Sequence, residues 1–114
     1  MSKRTPGLLL GDILLSMERI STYIGEMDQQ SFASDTRTAD AVVRNLEIIG
    51  EAATRIPEEF KAGHPEVPWR RVVGLRNRIV HEYFGVDIGI VWSVVSQDLP
   101  HLKSQIQDIA DKLK

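Results

Sequence analysis

The spacing of apolar residues predicts helices along almost the whole chain. Predicted helix one covers roughly Leu8–Met27, with apolar residues every three or four positions. Predicted helix two covers about Thr36–Ile56, and Ser34 or Asp35 can cap its first turn. Besides its main apolar stripe, this helix carries a second one on its far side, made of Ala41, Ile48 and Ala52. Two stripes predict burial on both sides, including burial against a partner chain.

The second half of the chain predicts two further helices after a loop at residues 63–68, which is rich in proline and glycine. Predicted helix three covers about Trp69–Tyr83, and Gly85 can end it. Asp87 can cap predicted helix four, whose pattern continues to the end of the chain. Because Pro100 lacks a backbone N–H, we expect that helix to kink or split there. The pattern predicts an all-α, up-down bundle of four main helices, forming one domain over residues 1–114.

The composition narrows the class of protein. The chain has no cysteine, which excludes disulfides and thiol chemistry and fits the reducing cytoplasm. No apolar run approaches the roughly 20 residues that span a bilayer, so we expect no membrane segment. The first residues also lack the pattern of a signal peptide.

Charge is distributed unevenly along the chain. The net charge of −2 argues against a protein that coats nucleic acid in general. Residues 69–81, however, contain four arginines and no acidic residue, which leaves −6 on the remainder of the chain. We therefore expect any anion site to centre on this segment.

The basic segment contains a compact set of polar side chains on predicted helix three. On a helical wheel, Arg76 and Tyr83 fall within the apolar arc, while His81 points to the opposite side with Asn77 one turn before it. An arginine facing an apolar surface needs a partner, because an unpaired buried charge is costly. That partner is an acid such as Glu47 or Glu51, a second subunit, or a phosphate. The alternative is that the Arg76 side chain reaches solvent and His81 lies on a solvent-exposed face of the helix.

Other polar and aromatic features have simpler interpretations. A charged ladder on predicted helix two is most simply a solvated face, and it comprises Asp40, Arg44, Glu47, Glu51 and Arg55. The alternative is that Arg44 or Glu51 lines a dimer cleft. Trp69 and Trp92 are expected to anchor the core. The three histidines show no metal-ligand spacing, so we expect no metal and no cofactor.

The segment Arg76–Tyr83 resembles the signature of the HEPN superfamily, in which an arginine, four residues, a histidine, one residue and a tyrosine follow one another. Its local sequence is similar to that of the HepT-like branch. Three further segments resemble that branch in the same order, and they are Arg44–Ala52, Val67–Trp69 and Val91–Pro100. The resemblance covers nearly the whole chain.

This resemblance implies a HEPN-like helical bundle that forms a homodimer, with the two motifs facing a shared cleft. It also implies a metal-independent endoribonuclease that acts on RNA, usually as the toxin of a toxin–antitoxin pair. The implied antitoxin is a minimal nucleotidyltransferase (MNT), which in some members adds AMP to the motif tyrosine, here Tyr83. The alternative is a non-catalytic dimeric module that binds RNA or nucleotide and the nucleotidyltransferase.

The residue types suit cleavage of RNA by attack of its own 2′-hydroxyl. His81 can take or give the proton near neutral pH, and Arg76 can hold two phosphate oxygens. Asn77 and Arg78 are candidates for orienting the site or binding substrate, as is Tyr83. On a straight helix Arg76 and His81 lie about 140° apart, so we expect a two-fold dimer to complete the site.

Overall fold

The computed structural model describes residues 4–81 and 85–113, with only the backbone of Val80 and His81. Its helices, in chain order, are α1 (Pro6–Ile24), α2 (Gln29–Ser34), α3 (Thr36–Arg55), α4 (Glu58–Ala62), α5 (Trp69–Val73), α6 (Leu75–Ile79), α7 (Ile88–Ser93), a π-helical stretch here called the π segment (Val94–Asp98), and α8 (Leu99–Lys112). Two short strands, β1 (Val80–His81) and β2 (Gly85–Val86), pair antiparallel between α6 and α7. The predicted all-α class is confirmed.

Two long helices form the centre of the bundle. α1 packs along α3, and the main apolar stripe of α3 is buried against it. Thr5 caps α1 by accepting from the Leu8 amide, and Asp35 caps α3 by accepting from the Thr38 amide. Both helices therefore begin close to where the sequence places them.

A short helix, α2, occupies the region in which the sequence predicts only the polar end of helix one. Asp28 caps it by accepting from the Ser31 amide at 2.8 Å. Phe32, its one large apolar residue, is completely buried. One apolar side chain in six residues gives no helical period, so the pattern could not predict this element.

The prediction of a continuous helix over Trp69–Tyr83 is wrong. The chain breaks at Gly74, between α5 and α6, and leaves the helical conformation after Ile79 to form β1. Val80 pairs with Val86, and His81 pairs with Gly85, whose φ of 74° favours glycine. Tyr83 lies outside the described residues. The helical-wheel relation of Arg76 to His81 therefore does not hold, because the helix ends before His81.

The C-terminal helix is split, as Pro100 predicts. Asp87 caps α7 by accepting from the Ile90 amide, and the π segment separates α7 from α8, where Pro100 stands in the first turn. The Leu99 amide donates to the Val94 carbonyl five residues earlier, which is the bond of a π-helix. Proline cannot donate a helical hydrogen bond, and the chain passes it at the start of a new helix, where none is required.

Candidate active site

α6 directs two of its arginines to different sides. Residues two positions apart on a helix point about 200° apart. Arg76 is exposed and lines a groove of about 550 Å³ formed mainly by α1 and α3, here called the Arg76 groove. Arg78 is half-buried and lines a second groove, formed by α5, the π segment and α8, here called the Arg78 groove. Asn77, between them, is exposed.

The Arg76 groove carries more basic than acidic side chains. Its basic residues come from the start of the chain, α1, α3 and α6, and they are Arg4, Arg19, Arg44, Arg55 and Arg76. Its acidic residues are Asp12, Glu47 and Glu51. The basic segment identified in the sequence thus supplies only Arg76, and the folded chain brings the other arginines to it. The expectation that an anion site centres on residues 69–81 stays a prediction.

Ion pairs satisfy only part of this groove. Arg4 binds Asp12 through two contacts of 2.9 Å, and Arg55 lies 3.3 Å from Glu51. Within residues 4–81 and 85–113, Arg19, Arg44 and Arg76 form no ion pair. These three guanidinium groups can therefore bind an anion without first breaking an ion pair to a described side chain.

The expectation that Arg76 faces the apolar arc is wrong. Arg76 lies on the exposed side of α6. Leu75 and Ile79 are the buried residues of α6, and Arg76 lies outside that pair. Glu47 and Glu51, proposed as partners from the sequence, line the same groove, but neither forms an ion pair with Arg76. Arg76 therefore reaches solvent inside a basic groove.

His81 follows closely behind this helix. Its backbone lies in β1, two residues after α6 ends, and the amide of Asp87 donates to the Ile79 carbonyl at 2.8 Å. The two short strands thus hold the chain next to His81 against the end of α6. The structure brings Arg76, Asn77 and Arg78 together with the His81 backbone on one short stretch, and Tyr83 lies beyond the described residues.

Arg78 has a partner in the second groove. Its Nη1 lies 2.6 Å from Oδ2 of Asp98, the last residue of the π segment. Arg71 of α5 approaches the same carboxylate oxygen at 3.7 Å. The sequence offers Arg78 as a substrate-binding or orienting residue, and the structure places it in this ion pair.

Sequence reasoning missed Arg19. Nothing in the pattern of α1 separates Arg19 from the other polar positions of that helix, and only its packing against α3 brings it to Arg76. The ladder on α3 was recognised, and four of its members, Arg44, Glu47, Glu51 and Arg55, line the groove. Its solvated character is visible at Glu51 and Arg55, whose side chains are about two-thirds exposed.

The tryptophans belong to the core. Trp69 is buried, and its Nε1 donates to the His64 carbonyl at 3.0 Å. The Trp92 ring packs on the ring of Phe32 with centroids 5.3 Å apart. The prediction that both anchor the core is confirmed.

Two features are absent from the described part of the chain. None of its helices is long and apolar enough to cross a membrane. No three of its histidine, aspartate or glutamate side chains lie together in a way that could hold a metal ion.

Comparison with known proteins places this arrangement in a family. The family described as "Ribonuclease HepT-like" matches residues 13–109, which extend from α1 into α8 and include Arg19, Arg44 and the whole motif. The chain belongs to the HepT-like family. This agrees with the resemblance of its motif to the HEPN superfamily.

Individual relatives match the HepT-like chain over nearly its whole length. A protein named "Probable ribonuclease HepT" from Thermococcus cleftensis is 41% identical over 94% of this chain and 97% of its own length. A candidate RNase from Caldanaerobacter subterraneus is 37% identical over 97% of this chain and 99% of its own. Another, from Methanocaldococcus jannaschii, is 39% identical over 94% and 98%. No solved structure gave a significant match.

Proposed function

We propose that this HepT-like chain is a metal-independent endoribonuclease and the toxin of a HepT/MNT-type toxin–antitoxin pair, acting in the cytoplasm. The observation that carries the proposal is Arg76, which is exposed and has no ion pair with a described side chain in a groove it shares with Arg19 and Arg44. His81 follows Arg76 by five residues. A phosphodiester held in the groove would then contact Arg76, and the His81 of this chain or of a second copy would act on it.

The chemistry requires no group from outside the protein and its substrate. The 2′-hydroxyl oxygen of RNA attacks the adjacent phosphorus, and the bond from phosphorus to the 5′-oxygen of the next nucleotide breaks. His81 takes the proton from the 2′-hydroxyl or gives one to the leaving oxygen, and the His81 of the second copy in the dimer makes the other transfer. Arg76 binds two oxygens of the pentacoordinate phosphorus and stabilises its extra negative charge. The products are a 2′,3′-cyclic phosphate and a free 5′-hydroxyl.

The remaining motif residues support these two. Asn77 is exposed on α6 and can bind substrate or orient the His81 ring, and Arg78 acts as an orienting residue. Arg19 and Arg44 bind neighbouring phosphates of the same strand. Tyr83 contacts substrate and is the residue that receives AMP.

Purified protein and a defined RNA test the proposal. We expect cleavage in the presence of EDTA, and none at a linkage whose 2′-hydroxyl is replaced by hydrogen. His81→Ala and Arg76→Ala should each lower the rate by about 100-fold or more while the protein stays folded. Glu58→Gln, which removes a carboxylate from the remote Lys61–Glu58 ion pair, is the control. Cleavage by His81→Ala at the parental rate would contradict the mechanism.

A second function follows from the same groove. Unpaired arginines bind RNA or nucleotide whether or not cleavage occurs, so the chain can instead be a non-catalytic binding module. The two functions differ in one measurement. A parental protein that binds the RNA in a gel shift but leaves it intact after prolonged incubation, with and without added divalent metal, favours the binding module.

The proposed regulation acts through Tyr83. The nucleotidyltransferase would transfer AMP from ATP to its hydroxyl and release pyrophosphate; the resulting phosphodiester carries a negative charge that can bind a nearby arginine in place of RNA. Tyr83→Phe keeps the ring and removes the acceptor, so this variant should stay toxic when the nucleotidyltransferase is co-expressed. If the partner still neutralises the variant and intact mass shows AMP on another residue, Tyr83 is not the regulatory site.

A further inference from the structure

We propose that Asp98 is a positioning residue for the motif. Through its ion pair with Arg78 it sets the rotation of α6 about its own axis, and that rotation directs Arg76 into the Arg76 groove. The inference rests on the proposed ribonuclease function and assigns a role to a residue outside the motif.

The contact is short and partly shielded from water. Arg78 Nη1 and Asp98 Oδ2 lie 2.6 Å apart, and the two side chains are 34% and 33% exposed. Arg71 adds a second guanidinium 3.7 Å from the same oxygen. Because Arg71 lies on α5 and Arg78 on α6, one carboxylate spans the break at Gly74 and ties both short helices to the π segment.

α6 needs such a contact because it is short. It has five residues, starts after a break and runs directly into β1. A helix of this length is not stable by itself, so its orientation depends on what holds it. Leu75 and Ile79 anchor its buried side. Arg78 points away from Arg76 by about 200°, so fixing Arg78 on one flank fixes the direction of Arg76 on the other.

The π segment accounts for the placement of Asp98. In an α-helix, residues five positions apart point about 140° apart. Val94 and Leu99 are nevertheless both buried, because the wider π turn brings them to the same side. Asp98 immediately precedes Leu99 and meets Arg78 from that position. π-helical turns occur frequently at functional sites, and here the turn supplies the partner of a motif residue.

A competing role for Arg78 predicts the opposite result. If Arg78 binds RNA phosphate directly, Asp98 competes with RNA for it. Removing the Asp98 charge would then release Arg78, tighten RNA binding and leave the cleavage rate intact or higher. If Asp98 positions α6, removing its charge lowers the cleavage rate and leaves RNA affinity nearly unchanged.

The experiment compares Asp98→Asn, Arg78→Gln and the double variant with the parental chain. Single-turnover cleavage gives the rate, fluorescence anisotropy with a non-cleavable 2′-deoxy analogue gives the affinity, and thermal unfolding gives the stability. We expect Asp98→Asn to cut about 10- to 100-fold more slowly, because a small displacement of a catalytic group has effects of this size. Affinity should stay within about twofold, and the double variant should be no slower than the slower single variant.

Charge exchange provides the rescue. Arg78→Asp combined with Asp98→Arg restores an ion pair with opposite polarity, and it should recover much of the rate that each single change loses. A purely electrostatic role of Arg78 toward RNA predicts no recovery, because position 78 then carries a negative charge. Glu58→Gln, in an ion pair that lines neither groove, should leave rate and affinity unchanged.

The outcomes separate this inference from the proposed function. If the parental protein cuts RNA and Asp98→Asn cuts it at the same rate, the positioning role alone is overturned. The same holds if Asp98→Asn binds RNA more tightly and its rate is undiminished. The positioning role is also overturned if Asp98→Asn loses cleavage rate together with a lowered melting temperature and charge exchange does not recover the rate. A parental protein that leaves every RNA intact overturns the ribonuclease function on which the inference rests.

Discussion

Arg76 and Arg78 are the same residue type two positions apart, but their side chains lie in different surroundings and make different interactions. Arg76 meets solvent in a groove with two other arginines that form no ion pair with a described side chain, whereas Arg78 is held by a carboxylate at 2.6 Å. A guanidinium already bound by a carboxylate has to give up that contact before it binds phosphate. The side chain that remains available for an anion is therefore Arg76, and its neighbours in the groove set how strongly RNA is held.

Arg44 and Arg19 should contribute to RNA binding. Replacing either by glutamine should weaken binding and reduce the slope of log affinity against log salt by roughly 0.7, as expected for one lost phosphate contact on a single strand. Lys103→Gln, an exposed change on α8 that lines neither groove, is the control. Salt titrations by anisotropy give both quantities. Variants with the parental slope would show that RNA does not follow this groove.

At the scale of elements, Gly50 allows α3 to pack closely against α5, the helix that precedes α6. A Cβ added to Gly50 would lie 3.3 Å from the Val72 carbonyl oxygen and 3.5 Å from that of Val73, both backbone atoms. A Cβ at Gly11, on α1, would meet nothing within 4 Å. A side chain would therefore be crowded at Gly50, whereas the space around Gly11 would accept one.

The same substitution at these two glycines should change stability in opposite directions. Gly50→Ala should lower the free energy of unfolding by about 1–3 kcal/mol, because α5 has to move away from α3. Gly11→Ala should raise it by roughly 0.5–1 kcal/mol, because alanine is the better helix former. Urea unfolding measures both. If both variants are stabilised, α3 and α5 do not pack this closely.

The cap of α3 should make stability depend on pH. The Thr38 amide donates to Asp35 at 2.9 Å, and this hydrogen bond lowers the pKa of the Asp35 carboxyl below its usual 3.8. The stability it contributes is therefore present above pH about 4 and is lost as pH falls through the lowered pKa of the folded state. Asp35→Ala should be less stable than the parent at pH 7, by a margin that shrinks in acid.

Asp35→Asn is the matched control for this pH dependence. Asparagine keeps an oxygen that accepts from the Thr38 amide but does not titrate. The margin between Asp35→Asn and Asp35→Ala should therefore stay nearly constant between pH 7 and pH 3, as measured by urea unfolding. A parental margin that is equally constant would show that Asp35 ionisation does not support the cap.

The elements that the sequence predicted well are long helices, in which the apolar spacing repeats over several turns. α1, α3 and α8 each bury one side over several turns, and Pro100 signals its own break. The failures are local structures decided by distant contacts. α2 depends on the burial of Phe32, and the end of α6 depends on pairing of Val80 with Val86. The groove likewise joins residues 19, 44 and 76, whose proximity no local pattern contains.

At the scale of the whole molecule, the Arg76 groove also exposes apolar surface. Leu15 is 47% exposed and lines the groove together with Ile48 and Ala52, two members of the second stripe on α3. That stripe is the sequence feature behind the proposed homodimer. A second copy seated on Leu15 and Ile48, beside the arginines, would cover this apolar surface and bring two motifs to one cleft, as the resemblance implies.

Sedimentation at tens of micromolar should therefore give twice the chain mass of 12.8 kDa. Leu15→Glu should shift the protein toward monomer, since it places a charge on the proposed interface. Leu113→Glu changes a side chain of similar exposure, 50%, that does not line the groove, and it should leave the dimer intact. A parental protein that sediments only as monomer would contradict the dimer.

The choice of arginine throughout the groove has a consequence for chemical labelling. Its basic lining contains no lysine, and the described lysines, at positions 61, 103 and 112, lie elsewhere. At these three positions, amine-directed dyes and surface-coupling reagents will therefore react away from the groove, with the buried Lys61 the slowest of the three. Arginine-directed dicarbonyls such as phenylglyoxal will modify the groove itself. Protein immobilised through Lys103 or Lys112 on α8 thus keeps the Arg76 groove open.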